Sequence, residues 1–549
     1  MQNNIIFSVL ILLLSILSLY AQSTTNKISS IVRGENYRIY PSNVTQTEVF
    51  IVKSPVDENI LFSSGNTLNF IPFFISEGIY VTTNGGNSWQ GNDTCTGEPI
   101  SFHGGDPGVT IDKNGTFIIT RLGRSPFAGL YSHYSADNGQ TWSVQKVISI
   151  DDLERATLTT DAITTSSFYG RSHAAWVRFN IPFSVWFAYT DDGAQSWSSP
   201  QQINNPSPTS RSAGGDMAIG PNGEVYACWA GVINEFPAKE ILVGFASSIN
   251  GGDDWNVKEN AFHVNGITGL LKNKANIRVN GLPSIAVDTT NGQRRGWIYI
   301  VTGQKDLAPA GSDPDIILNR STDGGQTWSS AIRVNQDDVN NGKTQYFPTV
   351  HIDKFGAINI IFYSDRNTTN DSSGVFLARS TDGGDSWIEF EISDHNYKPM
   401  PIGGLGQGYQ GDNIDITSTS TNLWPVWMDN STGIYQIWTT SIEFTTVDVE
   451  DITSPLSSFE LKQNYPNPFN PITKIGYQIK EQGFVSLIVF DALGMELVKL
   501  VQEHKIPGYY EVEYGNANLL KSKNLSSGIY FYRLSVNGNY DTKSMVLLK

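Results

Sequence analysis

The chain has 549 residues, a formal net charge of −16, 51 glycines, 11% aromatic residues and two cysteines. This length suits two or more domains, or one large all-β domain with an accessory, and the glycine and aromatic content suits short strands joined by tight turns. The negative charge excludes nucleic acid and an anionic membrane surface as partners, since both require a basic patch, and two cysteines exclude a disulfide framework.

In chain order, the first element is the apolar run Ile5 to Leu19, followed by Leu19-Tyr20-Ala21. Its length predicts a signal peptide over 1–21 and not a membrane span, which needs about 20 apolar residues. No later segment is long and apolar enough to cross a bilayer, so the mature chain is expected to carry no transmembrane segment.

An octapeptide of the form S/T-x-D/N-x-G-x-x-W then recurs six times. The copies are Thr82 to Trp89, Ser135 to Trp142, Thr190 to Trp197, Ser248 to Trp255, Ser321 to Trp328 and Ser380 to Trp387. Their tryptophans are spaced by 53, 55, 58, 73 and 59 residues. A repeat of roughly 40 to 50 residues with four strands per unit is a propeller signature. The carboxylate or amide at the third position (Asn84, Asp137, Asp192, Asn250, Asp323, Asp382) predicts an Asx-type turn onto a backbone N–H two residues on. Glycine at the fifth position supplies a positive φ. Tryptophan at the eighth (Trp89, Trp142, Trp197, Trp255, Trp328, Trp387) returns to the sheet as an apolar anchor. Ala194 replaces glycine in the third copy, which predicts a strained or reshaped turn.

Between the octapeptides lie paired β-rich runs, such as Pro283 to Asp288 with Trp297 to Val301, and Pro348 to Asp353 with Ile358 to Tyr363. A seventh unit, Asp412 to Trp438, lacks the octapeptide and a fourth strand. Asn36 to Ile39 reads like Ala331 to Val334 of a later unit, so the N-terminal strand is expected to complete the last blade and close the ring. Seven blades are expected, with six as the alternative. Cys95 falls in a polar loop and Cys228 in an apolar strand, and their pairing stays open. No zinc-ligand spacing is present.

Residues 445–458 are polar and read as a linker between a propeller over 22–444 and a C-terminal domain over 459–549. That domain opens with Asn464-Tyr465-Pro466-Asn467-Pro468-Phe469-Asn470-Pro471, continues in alternating strands including Gly528 to Leu534, and ends Lys543 to Lys549.

The octapeptides resemble the Asp-box of the sialidase-like (BNR repeat) β-propeller superfamily, and the last 90 or so residues closely resemble the type A sorting domain of the type IX (Por) secretion system. The resemblance implies an all-β fold, a sialidase-like propeller followed by a small immunoglobulin-like β-sandwich. It also implies export by a signal peptide and the type IX machinery, with the protein secreted or attached to the outer surface. The Asp-boxes would then be structural hairpins away from the active face.

On the propeller scheme, the loops leading into inner strands carry His103, Asp106, Arg155, Arg171, Arg211, Asp216, His263, Arg278, Tyr346, His395, Tyr409 and Asp412. The loops joining second and third strands carry Arg121, Arg124, Asp306, Asp365, Arg366 and Asp429. Arginine grips carboxylates through paired hydrogen bonds. The resemblance implies a carboxylate-binding arginine triad, an acid/base Asp and a Tyr nucleophile activated by Glu. The candidates here are Arg278, Arg366, Arg121 and Arg171 for the ligand, Tyr409 as nucleophile and Asp106 as acid/base. No Glu partner for Tyr409 stands out. Gly105-Asp106, Gly215-Asp216 and Gly411-Asp412 repeat by unit, which suits a turn or channel-lining element, or a ring around a cation such as calcium. No cofactor motif is present. Three functions follow: a propeller that binds a glycan or protein ligand, an exo-sialidase-like glycoside hydrolase, or a surface adhesion scaffold.

Overall fold

The computed structural model describes residues 28–70, 73–95, 103–154, 156–235, 238–403, 406–446, 459–480, 482–492, 494–515, 525–537 and 539–548. The expected signal peptide, Arg155 and residues 447–458 of the expected linker lie outside the described residues. Every regular element among the described residues is a β-strand. The chain divides into two units, Met1–Val447 and Asp448–Lys549.

In the first unit, seven antiparallel sheets follow one another along the chain. Their inner strands are Thr45–Lys53, His103–Ile111, Thr157–Thr160, Ser210–Ile219, Ser284–Val287, Gln345–Ile352 and Asp415–Ser418. Each packs against the next, and the last packs against the first, so the sheets form a closed ring. We number the sheets 1 to 7 in that order. The middle strands are covered on both faces, which is why they read as continuous apolar runs. In sheets 5 and 6, for example, Tyr299 and Val301 share a buried cluster with Val350, Ile360 and Phe362.

Sheet 7 takes its outer strand from the other end of the unit. Tyr37 pairs with Thr439 and Arg38 with Trp438. Ile28–Arg33 adds a further strand on Ile442–Thr446. The sheet therefore holds both ends of the described part of this unit.

The six octapeptides join third and fourth strands and share one hydrogen-bond scheme. The hydroxyl of the first residue donates to the third residue's Oδ1 at 2.7–2.9 Å. That Oδ1 accepts the N–H four residues on, not two, at 2.8–3.0 Å. The turn is thus wider than an Asx turn, because the first hydroxyl also accepts the N–H of the fifth residue. Ala194 keeps this scheme unchanged, with φ at +67°. The tryptophans staple each sheet to the one before it: Trp142 packs on Phe62, Trp255 on Phe187 and Trp328 on Phe245, with centroids 5.0–5.9 Å apart.

The second unit has two antiparallel sheets, one of three strands and one of four. Residues of both, including Ile475, Tyr477, Val485, Tyr532 and Leu534, share one buried core. The proline-rich opening cannot form a ladder. Instead Phe469 is buried, and its N–H and carbonyl bond Val546 and Leu548 of the C-terminal end. Asn464 fastens the turn by donating to Pro466 O and Thr473 Oγ1. Cys95 and Cys228 are separate, buried free thiols.

Candidate active site

A cavity of about 420 Å³ opens where the inner strands converge. Four of those strands carry a β-bulge at the cavity. Register slips between Thr47 and Phe50, Gly105 and Gly108, Ala213 and Asp216, and Tyr346 and Thr349. Within each bulge one residue takes a left-handed φ: Glu48 at +51°, Asp106 at +56°, Gly214 at +60° and Phe347 at +53°. All four line the cavity. A bulge leaves a residue outside the ladder and re-aims its side chain. For a non-glycine residue this conformation costs about 1–2 kcal/mol, and such strain gathers at functional sites.

Asn66, on the strand next to Thr45–Lys53, is the hub of the site. Its buried Nδ2 reaches Glu48 Oε2 at 3.1 Å, Asp106 Oδ1 at 3.0 Å and the Tyr409 hydroxyl at 3.2 Å. Its Oδ1 accepts the Asp106 N–H at 2.5 Å. Thr47 Oγ1 lies 3.2 Å from the Tyr409 oxygen. Burial, with Glu48 and Asp106 adding to it, pushes the Tyr409 phenol well above its ordinary range, because a second negative charge there would be poorly solvated and repelled.

Arg278 reaches the cavity on an inserted hairpin, Gly269–Leu271 with Ile277–Val279, between sheets 4 and 5. This insertion is the source of the 73-residue spacing between Trp255 and Trp328. Its tip is anchored by Lys274, whose buried Nζ donates to Asp365 Oδ2 at 2.7 Å and to the carbonyls of Asn370 and Ser372. Its second strand donates the Arg278 N–H to Gly408 O at 2.7 Å. Gly408 has a positive φ, and a Cβ there would stand 2.2 Å from Asn276 O, so only glycine permits this approach. The Arg278 guanidinium lies 5.4 Å from the Tyr409 ring centroid. It grips both oxygens of Asp412, through Nε at 3.3 Å and through a close Nη2 contact. Burial pulls against the charge, but Asp412 outweighs it and holds the guanidinium above its ordinary pKa.

The structure thus brings Tyr409, Asp106 and Arg278 together and places the other three arginine candidates elsewhere. Arg121 is buried inside sheet 2, where it donates to His133, Leu122 O and Gln145. Arg171 holds Asp191 with two bonds of 2.9 Å and stacks on Tyr189 beside the third octapeptide. Arg366 holds Glu389 at 2.5 and 2.9 Å over Phe376. Each guanidinium is spent on a partner within the protein, and none lines the cavity. Tyr346 is buried against Ser373 and Tyr397.

The three Gly-Asp repeats do three different jobs. Asp106 joins the Asn66 hub. Asp216 links three sheets by accepting from Thr157, Ser284 and the Ile285 N–H. Asp412 pairs with Arg278. All three line the cavity, and among the described residues no group of three or more His, Cys, Asp or Glu is placed to hold a metal ion.

Glu48 and Asn66 are the residues that sequence reasoning missed. The only local signal was an acid directly before the apolar run Val49 to Val52. Its relation to Tyr409 depends on ring closure. His351 also lines the cavity, and burial holds its imidazole down to about 4, so it is neutral there.

A family model described as the secretion system C-terminal sorting domain matches residues 463–548. The second unit is therefore such a sorting domain, which implies export to the cell surface or the extracellular space. No curated protein matches the chain. Solved structures similar to the chain include an ulvan lyase of polysaccharide lyase family PL25, with 11% identity over 74% of this chain and 96% of the other at a TM-score of 0.48. A Hadza microbial sialidase shows 14% identity over 70% and 73%, with a TM-score of 0.37. The GH93 α-L-arabinofuranosidase of Fusarium graminearum shows 12% identity over 60% and 92%, with a TM-score of 0.40.

Proposed function

We propose that the protein is an exported, seven-bladed carbohydrate-active propeller that takes a glycan end into the central cavity and cleaves its glycosidic bond. The observation that carries this reading is the convergence of Tyr409, Glu48 and Asp106 on the single amide nitrogen of Asn66. Because both carboxylates bond that nitrogen, their bonded oxygens lie within about 6 Å of each other. Asp106 is the more exposed of the two and suits proton transfer to the leaving oxygen. Glu48 is 5% exposed and lies beside Tyr409, where it can take the phenol proton as the oxygen attacks.

Capture without cleavage is the second reading. It is favoured by the raised Tyr409 pKa, which keeps the resting phenol protonated. The test incubates the full chain with neutral and acidic oligosaccharides and measures released reducing sugar and bound sugar. Release that falls at least about a hundredfold in Tyr409→Phe and in Glu48→Gln supports cleavage, given the usual size of proton-transfer contributions. Binding without release supports capture. A wild type that neither binds nor releases sugar removes the carbohydrate reading.

A further inference from the structure

We propose that the groove between sheets 1 and 2, at the outer edge of the ring, is a second binding site that takes a neutral oligosaccharide. It shares no lining residue with the central cavity, and it stands or falls apart from the reading of that cavity.

The junction is open because three residues depart from the pattern of the other sheets. Ile79 stands three residues before its octapeptide, where sheets 3 and 4 carry Phe187 and Phe245. A Cβ on Gly139 would therefore stand 3.2 Å from Val81 and 3.6 Å from Ile79, whereas one on Gly252 or Gly325 would stand 2.3 or 2.1 Å from a phenylalanine ring. The fourth octapeptide residue is glycine in five copies (Gly85, Gly193, Gly251, Gly324 and Gly383) and Asn138 in the second. At Gly193, Gly251 and Gly383 a Cβ would stand 3.1, 2.6 and 2.8 Å from Asp112, Phe168 and Arg294 of the preceding sheet. Asn138 keeps the left-handed φ, at +58°, which asparagine adopts more readily than most residues, and its side chain lines the groove. The third departure is Gln90. Side chains reach across four other junctions to the next octapeptide: Gln201 donates to Asp253 O at 3.0 Å, Lys258 to Gln326 O, Arg320 to Gly383 O and Tyr37 to Gly86 O. Gln90, at the head of the outer strand of sheet 1, makes no such bond among the described residues.

The resulting groove has a volume of about 520 Å³. No Asp, Glu, Lys, Arg or His is among its described lining residues, in a chain of net charge −16, so a charged ligand finds no counter-charge there. Amides line it instead, from Gln90, Asn92, Asn138 and Gln140. Among the described residues the side chains of Gln90, Asn138 and Gln140 have no hydrogen-bond partner, and Asn92 commits only its Oδ1, to the N–H and hydroxyl of Thr94. An amide carries two donors and an acceptor, which matches hydroxyls that both donate and accept. Ile79 and Val81 add an apolar strip between the amides, suited to the C–H face of a sugar ring. The outer strand Gln90–Asn92 is exposed throughout, so the groove is accessible from outside the ring. Uncharged hydroxyls beside an apolar ring face are the chemistry of a neutral oligosaccharide.

Hydrogen exchange read by mass spectrometry on the full chain tests this site. The probes are neutral gluco-, xylo-, manno- and galacto-oligosaccharides, with an oligogalacturonate as the charged control. At least one neutral probe is expected to protect Ile79–Asn92 and Ser135–Trp142 in a saturable way, and the oligogalacturonate is expected not to. Asn138→Gly restores the residue of the other five octapeptides, so the protein should melt as the wild type does. Combined with Gln140→Ala it should weaken the neutral probe about tenfold, the size expected for two lost hydrogen bonds, while sugar bound in the cavity is unaffected. Gln90→Ala, at an exposed position of the outer strand, gives the same reading if the double variant does not fold. A wild type in which no neutral probe protects these two segments overturns the inference, even if sugar binds in the cavity. So does equal protection by the oligogalacturonate, or an unchanged affinity in folded variants. Protection here that the variants lose, with no sugar bound in the cavity, supports this site and removes only the cavity reading.

Discussion

Ala194 shows how single residues adjust to the octapeptide turn. The fifth position lies against the preceding sheet: a Cβ on Gly252 would stand 2.3 Å from Phe187, and one on Gly325 would stand 2.1 Å from Phe245. Phe187 and Phe245 lie three residues before the box of their own sheet. In sheet 2 that place is held by Ser132, whose hydroxyl accepts the Trp197 indole N–H at 2.8 Å. A small residue there leaves room for the Ala194 methyl, so the third turn keeps its shape and bears only the cost of a left-handed alanine. Gly325→Ala, with φ at +86° and no such room, should lose about 2–4 kcal/mol by combining left-handed strain with overpacking. Chemical denaturation measures this, and an unchanged midpoint would remove the packing argument. A second residue sets a pH dependence. His395 lies between Asp429 Oδ2 at 3.1 Å and Asp394 Oδ1 at 2.7 Å. Its bond to Asp429, with Asp394 helping and burial opposing, raises its pKa to about 9. The folded pKa is above the unfolded value near 6.5, so its contribution is complete below about 6.5 and is lost as pH rises through about 9. Thermal melts of the wild type should fall over that window, and His395→Gln should flatten the fall. A parallel decline in both proteins would exclude His395 as the cause.

Among the elements, the inserted hairpin decides whether the site exists. Lys274 and Asp365 are both fully buried. Asp365 also accepts the Thr344 N–H at 2.7 Å, so the pair is satisfied on both sides. Lys274→Met leaves a buried carboxylate without its ion partner and should cost about 3–5 kcal/mol, while adding Asp365→Asn should recover part of it. Because the hairpin presents Arg278, ligand binding should weaken in Lys274→Met even at temperatures where the protein is folded. Binding that tracks the folded fraction alone would show that the anchor positions nothing. Much of the strand pattern was legible beforehand, since the octapeptides mark the third-to-fourth strand hairpin of every sheet but the last, whose outer strand comes from the N-terminal segment. The site was legible only in part. Tyr409, Asp106 and Arg278 stood out as polar residues at inner-strand entries, but so did Arg171, and Arg121 and Arg366 stood out in the loops joining second and third strands. Nothing local distinguishes an arginine facing a cavity from one satisfied by Glu389 or Asp191, because those partners are brought near only by folding. Glu48 was invisible for the same reason, as its work depends on a bulge and on a tyrosine in the last part of the ring.

For the whole molecule, closure of the ring is the feature on which the site depends. Glu48 and Asn66 belong to sheet 1, while Tyr409 and Asp412 precede sheet 7, so the hub spans the seam between the first and last sheets. The resemblance of Asn36–Ile39 to Ala331–Val334 made this closure readable: Tyr37–Arg38 is an outer strand of two residues, like Ile332–Arg333. The N-terminal segment does more than pair. Arg33 donates to Ser393 O at 3.0 Å in the segment following sheet 6. Tyr37 donates to Gly86 O at 2.7 Å and lies 3.3 Å from the Trp89 indole nitrogen in the first octapeptide. The segment therefore ties sheets 6, 7 and 1 into one unit. A protein starting at Ile39 would lose these bonds, each worth about 1 kcal/mol, and would expose Gln436–Thr439 as an open edge, which invites pairing with another chain. Such a truncation should be cleaved first near sheet 7 in limited proteolysis and should self-associate in size-exclusion chromatography. The glycan binding proposed for the cavity should fall although no cavity residue has been removed. A monomeric truncation with wild-type protection and binding would mean that the inner strands alone hold the ring, and that the strand from the N-terminal segment is dispensable to the site.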